Sequence, residues 1–270
     1  MAQATVQITF AGPSGTVRAQ LAQPSGPGPW PAIVLLQEGI GVTAHLRTVA
    51  ERFADTGYLV LVPDLYSHDR VRASLDSEAV GRYLPLARGA DREAKIAALP
   101  ADQQAVARTV ASWFSGRDTS TYLPDARAAV VWLQTQDQTR GEPIAAVGFS
   151  LGGGLVAQLA VTERGLAAGV IFYGSGPAID AVKHLRIPLQ GHYAENDPAI
   201  TAQVPALAAA IASSGGTFTP FIYTGAEHGF FNETRLSYHA SAAAQAWERA
   251  LRFLRQHLRH PANRVQSAGV

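Results

Sequence analysis

The chain has 270 residues, 47% of them hydrophobic, and a formal net charge of +1 from 22 basic and 21 acidic side chains. A near-neutral balance without a basic stripe or interleaved aromatics argues against nucleic-acid binding. The absence of cysteine excludes a disulfide framework, a thiol nucleophile and thiolate metal sites. A chain of this length buries enough apolar surface to fold without staples. The first residues, Met1 to Thr5, carry no basic and apolar leader pattern, and no apolar run approaches the roughly 18 residues that span a bilayer. The expectation is a cytoplasmic protein without membrane association.

In chain order, Val6–Phe10 and Thr16–Leu21 flank a Gly/Pro-containing turn and predict a hairpin, followed by a Pro/Gly-rich loop over 23–31. Ala32–Leu36 is a continuous apolar run suited to a strand buried on both faces. A helix over Ala44–Thr56 ends at Gly57, and a second buried strand over Tyr58–Val62 stops at Pro63. Residues 66–122 contain no buried-strand run and suggest helices near 74–88, 91–99 and 101–114. Such an insertion between core strands is expected to cap a site.

A helix over Asp125–Gln136, the strand Ile144–Phe149 and the helix Gly152–Val161 follow. Further strands are predicted at Ala168–Phe172, Ile187–Tyr193 and Phe218–Tyr223, with helices at Ala199–Ser213 and Ser241–Leu258. Strands alternating with helices imply a mostly parallel, doubly wound sheet flanked by helices. One domain is expected over 1–260, including the insertion, with a mobile tail over 261–270.

The segment Val147-Gly148-Phe149-Ser150-Leu151-Gly152 carries the chemistry. Gly-x-Ser-x-Gly between a strand and a helix is the pattern of a nucleophile elbow, in which a sharp turn lifts the serine out of the sheet. A serine hydroxyl needs a base in contact with it. His228, between Glu227 and Gly229 just beyond the last predicted strand, is the best placed of the eight histidines. His45 and His68 are also near strand ends, while His184, His192, His239, His257 and His260 have weaker placements. Asp197, after the strand Ile187–Tyr193, is the candidate carboxylate that fixes the imidazole, with Glu195 as its fallback. The chain order Ser150, Asp197, His228 is that of α/β-hydrolases. An oxyanion hole would take the Leu151 N–H and one from the loop after Ala32–Leu36, first Gly39 and then Ile40.

These residues, read with Leu35 to Val42, Val62-Pro63-Asp64-Leu65-Tyr66 and Tyr223 to Phe230, resemble the dienelactone hydrolase family. The resemblance implies an α/β-hydrolase fold and a nucleophile–Asp–His triad on Ser150, Asp197 and His228. It also implies an auxiliary glutamate at Glu38. In cysteine members that glutamate helps generate the thiolate. With serine here, it either shares in proton handling or stays as a buried, paired carboxylate.

Members specific for dienelactones hold a substrate carboxylate with arginines, one of them shortly after the histidine. This chain has His228-Gly229-Phe230-Phe231-Asn232 there, with Arg235 nearby but out of register. Together with Ile40, Phe149, Phe230 and Phe231 as an apolar lining, this favours an uncharged acyl or aryl ester. The expected ligand is thus a small-molecule ester or lactone, with no cofactor and no metal; oligomeric state is left open. Acyl transfer or peptide cleavage by the same triad, and a non-catalytic binding protein on the same scaffold, are the alternatives.

Overall fold

The computed structural model describes residues 5–87 and 91–258; the expected tail lies outside them. Among the described residues an eight-stranded sheet runs in the order β1-β2-β4-β3-β5-β6-β7-β8. Its strands are β1 (Val6–Gly12), β2 (Gly15–Ala22), β3 (Ala32–Leu36), β4 (Leu59–Pro63), β5 (Ile144–Phe149), β6 (Ala168–Phe172), β7 (Leu189–Ala194) and β8 (Phe218–Tyr223). The β1/β2 and β2/β4 pairs are antiparallel, and every other pair is parallel. The hairpin is thus an antiparallel margin on a parallel, doubly wound sheet.

The central strands are apolar throughout because both faces are covered. In β3, Ala32, Val34 and Leu36 join one core, while Ile33 and Leu35 join the other. That alternation is the two-residue period of a strand. The second core packs against α1 (Ala44–Asp55) and α10 (Ala240–His257). Thr43 caps α1 by accepting from the Leu46 N–H at 3.2 Å, and Gly57 closes it at φ 101°.

The segment after β4 is helical: α2 (Arg70–Ser74), α3 (Ser77–Tyr83), α4 (Arg92–Ala97) and α5 (Ala101–Gly116). The long helix expected near 74–88 is instead α3 followed by a short 3-10 turn over Leu84–Ala87. Next, α6 runs Tyr122–Thr135, three residues ahead of its expected start. Pro124 falls in its first turn, where a missing N–H costs nothing. The helix expected over Ala199–Ser213 is two helices, α8 (Pro198–Thr201) and α9 (Val204–Ser213), each with a proline in its first turn. The remaining helix, α7 (Leu151–Thr162), follows β5 directly.

The chain winds from β3 to β4 in one direction and from β5 to β8 in the other. The order reverses between the neighbours β3 and β5, and ligands bind beyond the carboxyl ends of strands at such a switch point. The loop after β3 and the turn after β5 meet there.

Candidate active site

Ser150 lies between β5 and α7 with φ 52° and ψ −110°, a conformation that L residues rarely adopt. Its N–H donates to Phe172 O at 2.9 Å, and Gly152 N–H donates to Gln37 O at 3.0 Å. The turn is held from both neighbouring strands. It tolerates only glycine on either side: a Cβ at Gly148 would stand 2.2 Å from Gly152 O, and one at Gly152 would stand 2.4 Å from Leu36 O. Leu151 is the first residue of α7, so its N–H belongs to the unpaired donors of the helix start.

The loops after β7 and β8 carry the partners. Glu195 N–H donates to Tyr223 O at 3.1 Å and Asn196 N–H to Ala226 O at 2.9 Å, which ties the two loops together. Gly225 and Gly229, at φ 72° and 84°, turn the chain on either side of His228. His228 Nε2 lies 2.9 Å from Ser150 Oγ, and His228 Nδ1 lies 2.6 Å from Asp197 Oδ2. With the carboxylate accepting from Nδ1–H, Nε2 is left to accept the serine proton, an assignment that follows from the partners. Although Asp197 precedes α8, its side chain makes no cap hydrogen bond and is turned to the imidazole instead. Glu195, the fallback acid, is engaged elsewhere: its Oε2 accepts from Gly225 N–H at 2.8 Å.

Other histidines have structural surroundings. His192 is fully buried between Tyr223 and Gln190, His68 lies 3.3 Å from Asp125, and His239 caps α10. His45 lies on the buried face of α1, beside Glu233 and Phe231, and that burial lowers its pKa.

The turn after β3 is closed by Gly41 N–H donating to Glu38 O at 3.0 Å. The N–H groups of its two middle residues, Gly39 and Ile40, stay outside that bond. Glu38 is only 6% exposed and sits in a ring of donors. Tyr173 O–H donates to its Oε1 at 3.2 Å and Asn232 Nδ2 to its Oε2 at 2.9 Å, while Arg235 Nη2 lies 3.3 Å from Oε2. Arg235 therefore reaches Glu38 despite lying out of register with the family's arginine. Tyr173 has φ 40° and sets its ring edge-on to His228 at 5.2 Å. Burial and the Glu38 charge push its phenol pKa well up, which keeps it a donor. Sequence reasoning missed Tyr173, Asn232 and Arg235 as partners of Glu38; each follows a strand end or a glycine turn, and no local pattern links them.

The expected aromatic lining needs correction. Phe149, Phe230 and Phe231 are 2%, 0% and 2% exposed, and they pack on Phe172, Tyr173, Tyr223 and Trp247 in the second core. They are members of that packed core rather than an open wall. Ile40 stays in the turn beside the site, itself nearly buried. Among the described residues, no group of three or more His, Asp or Glu side chains is placed to hold a metal ion, and no helix is long and apolar enough to cross a membrane.

Comparison with known proteins places the chain among relatives of like length and fold. A protein of Saccharolobus solfataricus named "Putative carboxymethylenebutenolidase" is 29% identical over 268 residues, covering 93% of this chain and 98% of its own. A protein of Synechocystis with the same name is 27% identical over 266 residues, covering 94% and 98%. The crystal structure of the dienelactone hydrolase from Anabaena variabilis superposes with a TM-score of 0.64 at 17% identity, over 96% of this chain and 99% of that one, which is a likeness of fold. The profile of the Dienelactone hydrolase family matches residues 17–258, nearly the whole described chain, so the chain belongs to the dienelactone hydrolase family.

Proposed function

We propose that the chain is a serine hydrolase that cleaves a carboxylic ester or lactone through an acyl-enzyme. Family membership makes it a hydrolase of that bond class; the serine mechanism is read from its own residues. The observation that carries the reading is the unbroken path from Ser150 Oγ through His228 to Asp197, with spacings of 2.9 and 2.6 Å. His228 takes the Ser150 proton as Oγ attacks the carbonyl carbon, and Asp197 stabilises the imidazolium that forms. The oxyanion is held by N–H groups of Leu151 and of the Gly39–Ile40 turn. His228 returns its proton to the leaving oxygen, and water then releases the acid by the same route. A lactone differs only in that its leaving oxygen stays attached to the acyl group.

The Glu38 carboxylate is occupied by Tyr173, Asn232 and Arg235, which supports a holding role for it. With Arg235 engaged there, the preferred substrate is an uncharged ester or lactone. We read residues 1–260 as one catalytic domain whose helical insertion, 66–122, covers the site. The approach of Leu84 to the Gly39 turn, 3.8 Å from where a Gly39 Cβ would be, supports that cover.

Intact-mass analysis after treatment with a fluorophosphonate tests the reading. One adduct on the unaltered protein and none on Ser150→Ala is the expected result. Ser150→Ala that still hydrolyses an aryl ester at the normal rate would overturn it.

A further inference from the structure

The insertion does more than cover the site: two of its side chains grip consecutive carbonyl groups of the turn after β3. Tyr66 O–H donates to Gly39 O at 2.8 Å, and Arg72 Nη2 donates to Ile40 O at 2.8 Å. Both residues are buried, Tyr66 at 2% and Arg72 at 8% exposure. The grip is braced from behind. Tyr66 packs edge-on against Trp113 and Tyr122, at 5.3 and 5.5 Å, and the Arg72 guanidinium lies 5.8 Å from the Tyr66 ring and 5.9 Å from the Trp113 ring. Arg72 Nη1 donates to Leu75 O at 2.9 Å, and Trp113 Nε1 donates to Asp69, whose other oxygen caps the start of α2. Gly41 is fitted to this contact: its φ is 95°, and a Cβ there would stand 2.8 Å from Arg72 Nη2.

The connectivity of the peptide units gives the grip its consequence. The Ile40 carbonyl that accepts from Arg72 shares a peptide unit with the Gly41 N–H. That N–H donates to Glu38 O, and the Glu38 carbonyl shares its unit with the Gly39 N–H. The Gly39 N–H thus ends a chain of two peptide units headed by a cation. The Gly39 carbonyl that accepts from Tyr66 shares its unit with the Ile40 N–H. A hydrogen bond accepted at the carbonyl end of a peptide strengthens the N–H at its other end, and the effect accumulates along a chain in a low-dielectric interior.

We propose that Arg72 and Tyr66 are positioning residues of the oxyanion hole, fixing and polarising the peptide units that present the Gly39 and Ile40 N–H groups. This rests on the serine mechanism proposed above. Neither residue touches the substrate; each acts through the backbone. Burial raises the Tyr66 phenol pKa far above its ordinary value, so it serves as a donor at every working pH.

The test compares Arg72→Met, Arg72→Lys and Tyr66→Phe with the unaltered enzyme, using an aryl ester for kinetics and the infrared carbonyl stretch of the trapped acyl-enzyme as a direct report on the hole. Losing a direct oxyanion donor costs about 10²–10³ in kcat, so an indirect loss is expected to cost roughly tenfold in Tyr66→Phe and up to about a hundredfold in Arg72→Met, with KM little changed. The carbonyl stretch should move to higher wavenumber in both, and Arg72→Lys should recover part of each effect. Variants that fold and keep full kcat, or that lose kcat with an unshifted carbonyl stretch, overturn the proposal. If Arg72→Met fails to fold, Tyr66→Phe decides, since it keeps the ring and removes one hydroxyl. Ser150→Ala separates the two readings. If it still hydrolyses the ester, the serine mechanism falls. If it is inactive while Arg72→Met and Tyr66→Phe match the unaltered enzyme, only the positioning role falls.

Discussion

Gly148 and Gly152 approach so closely that a Cβ on the first would stand 2.2 Å from the carbonyl oxygen of the second. The close approach is a consequence of the turn that sets Ser150 at φ 52°. Gly148→Ala must push the start of α7 away from β5, and overpacking of this kind costs about 1–3 kcal/mol of stability. The functional cost is larger, because a displacement of about 1 Å in a reacting group can cost roughly 10²-fold in rate. The expected result is a folded protein with a lowered midpoint in chemical denaturation and a kcat/KM reduced by about 10²-fold or more.

Asp197 is the second test of the site. Its carboxylate is 12% exposed and 2.6 Å from His228 Nδ1. Asp197→Asn keeps the size but replaces the acceptor with a group that can favour the wrong imidazole tautomer. A loss of about 10⁴-fold in kcat is expected, by analogy with other triads, with little change in stability. Glu195→Gln, on the Gly225 N–H, should leave kcat within about threefold, as a surface polar change does. Steady-state kinetics on both variants separates the two acids, and equal losses would assign the role wrongly here.

How much of this was legible in the sequence depends on the range of the interactions. β3, β5 and β6 begin and end where their apolar runs do, because burial on both faces writes a continuous signal into the chain. The order of Ser150, Asp197 and His228 was legible for a similar reason: each follows a strand whose end is marked. The helical insertion was legible in outline, with α4 and α5 close to the expected 91–99 and 101–114, but the short α2 was not, and the break of 74–88 into α3 and a 3-10 turn carries no periodic signal of its own. The ring of donors about Glu38 draws on residues 135 and 194 positions away, and no local pattern records such distances. The aromatic residues flanking the motifs were misread for a related reason. Proximity in sequence to Ser150 and His228 does not reveal which way a ring points, and these three point into the core.

Glu38 itself gives a stability prediction. Its two oxygens accept from Tyr173 and Asn232, with Arg235 3.3 Å from Oε2. Glu38→Gln removes the charge and turns an amide N–H₂ toward side chains that are themselves donors. Hydrogen bonds to a charged group contribute about 1.5–3 kcal/mol each, so a loss of roughly 2 kcal/mol is expected, allowing for the partial exposure of Arg235. Urea denaturation of the variant measures it, and an unchanged midpoint would show the carboxylate to be unnecessary for the ring.

His192 sets a dependence of stability on pH. It is buried on β7 with Nδ1 2.8 Å from the Tyr223 phenol Oη and Nε2 2.9 Å from Gln190 Oε1, stacked between Phe172 and Phe221. Desolvation, helped by the Arg249 charge, pushes its pKa down to about 3 from the ordinary value of 6.5. Above 6.5 the imidazole is neutral in both folded and unfolded chains and contributes no pH dependence. Between 6.5 and 3 the unfolded chain binds a proton that the folded chain refuses, so stability falls as pH falls, by up to about 1.4 kcal/mol per pH unit. Below 3 both states carry the proton and the loss is complete. His192→Gln should lose stability at pH 8, where it gives up packing and a hydrogen bond, yet show a shallower decline than the unaltered protein between pH 6.5 and 4. Denaturation midpoints across that range test the difference in slope, and parallel profiles for the two proteins would place the acid sensitivity at other groups.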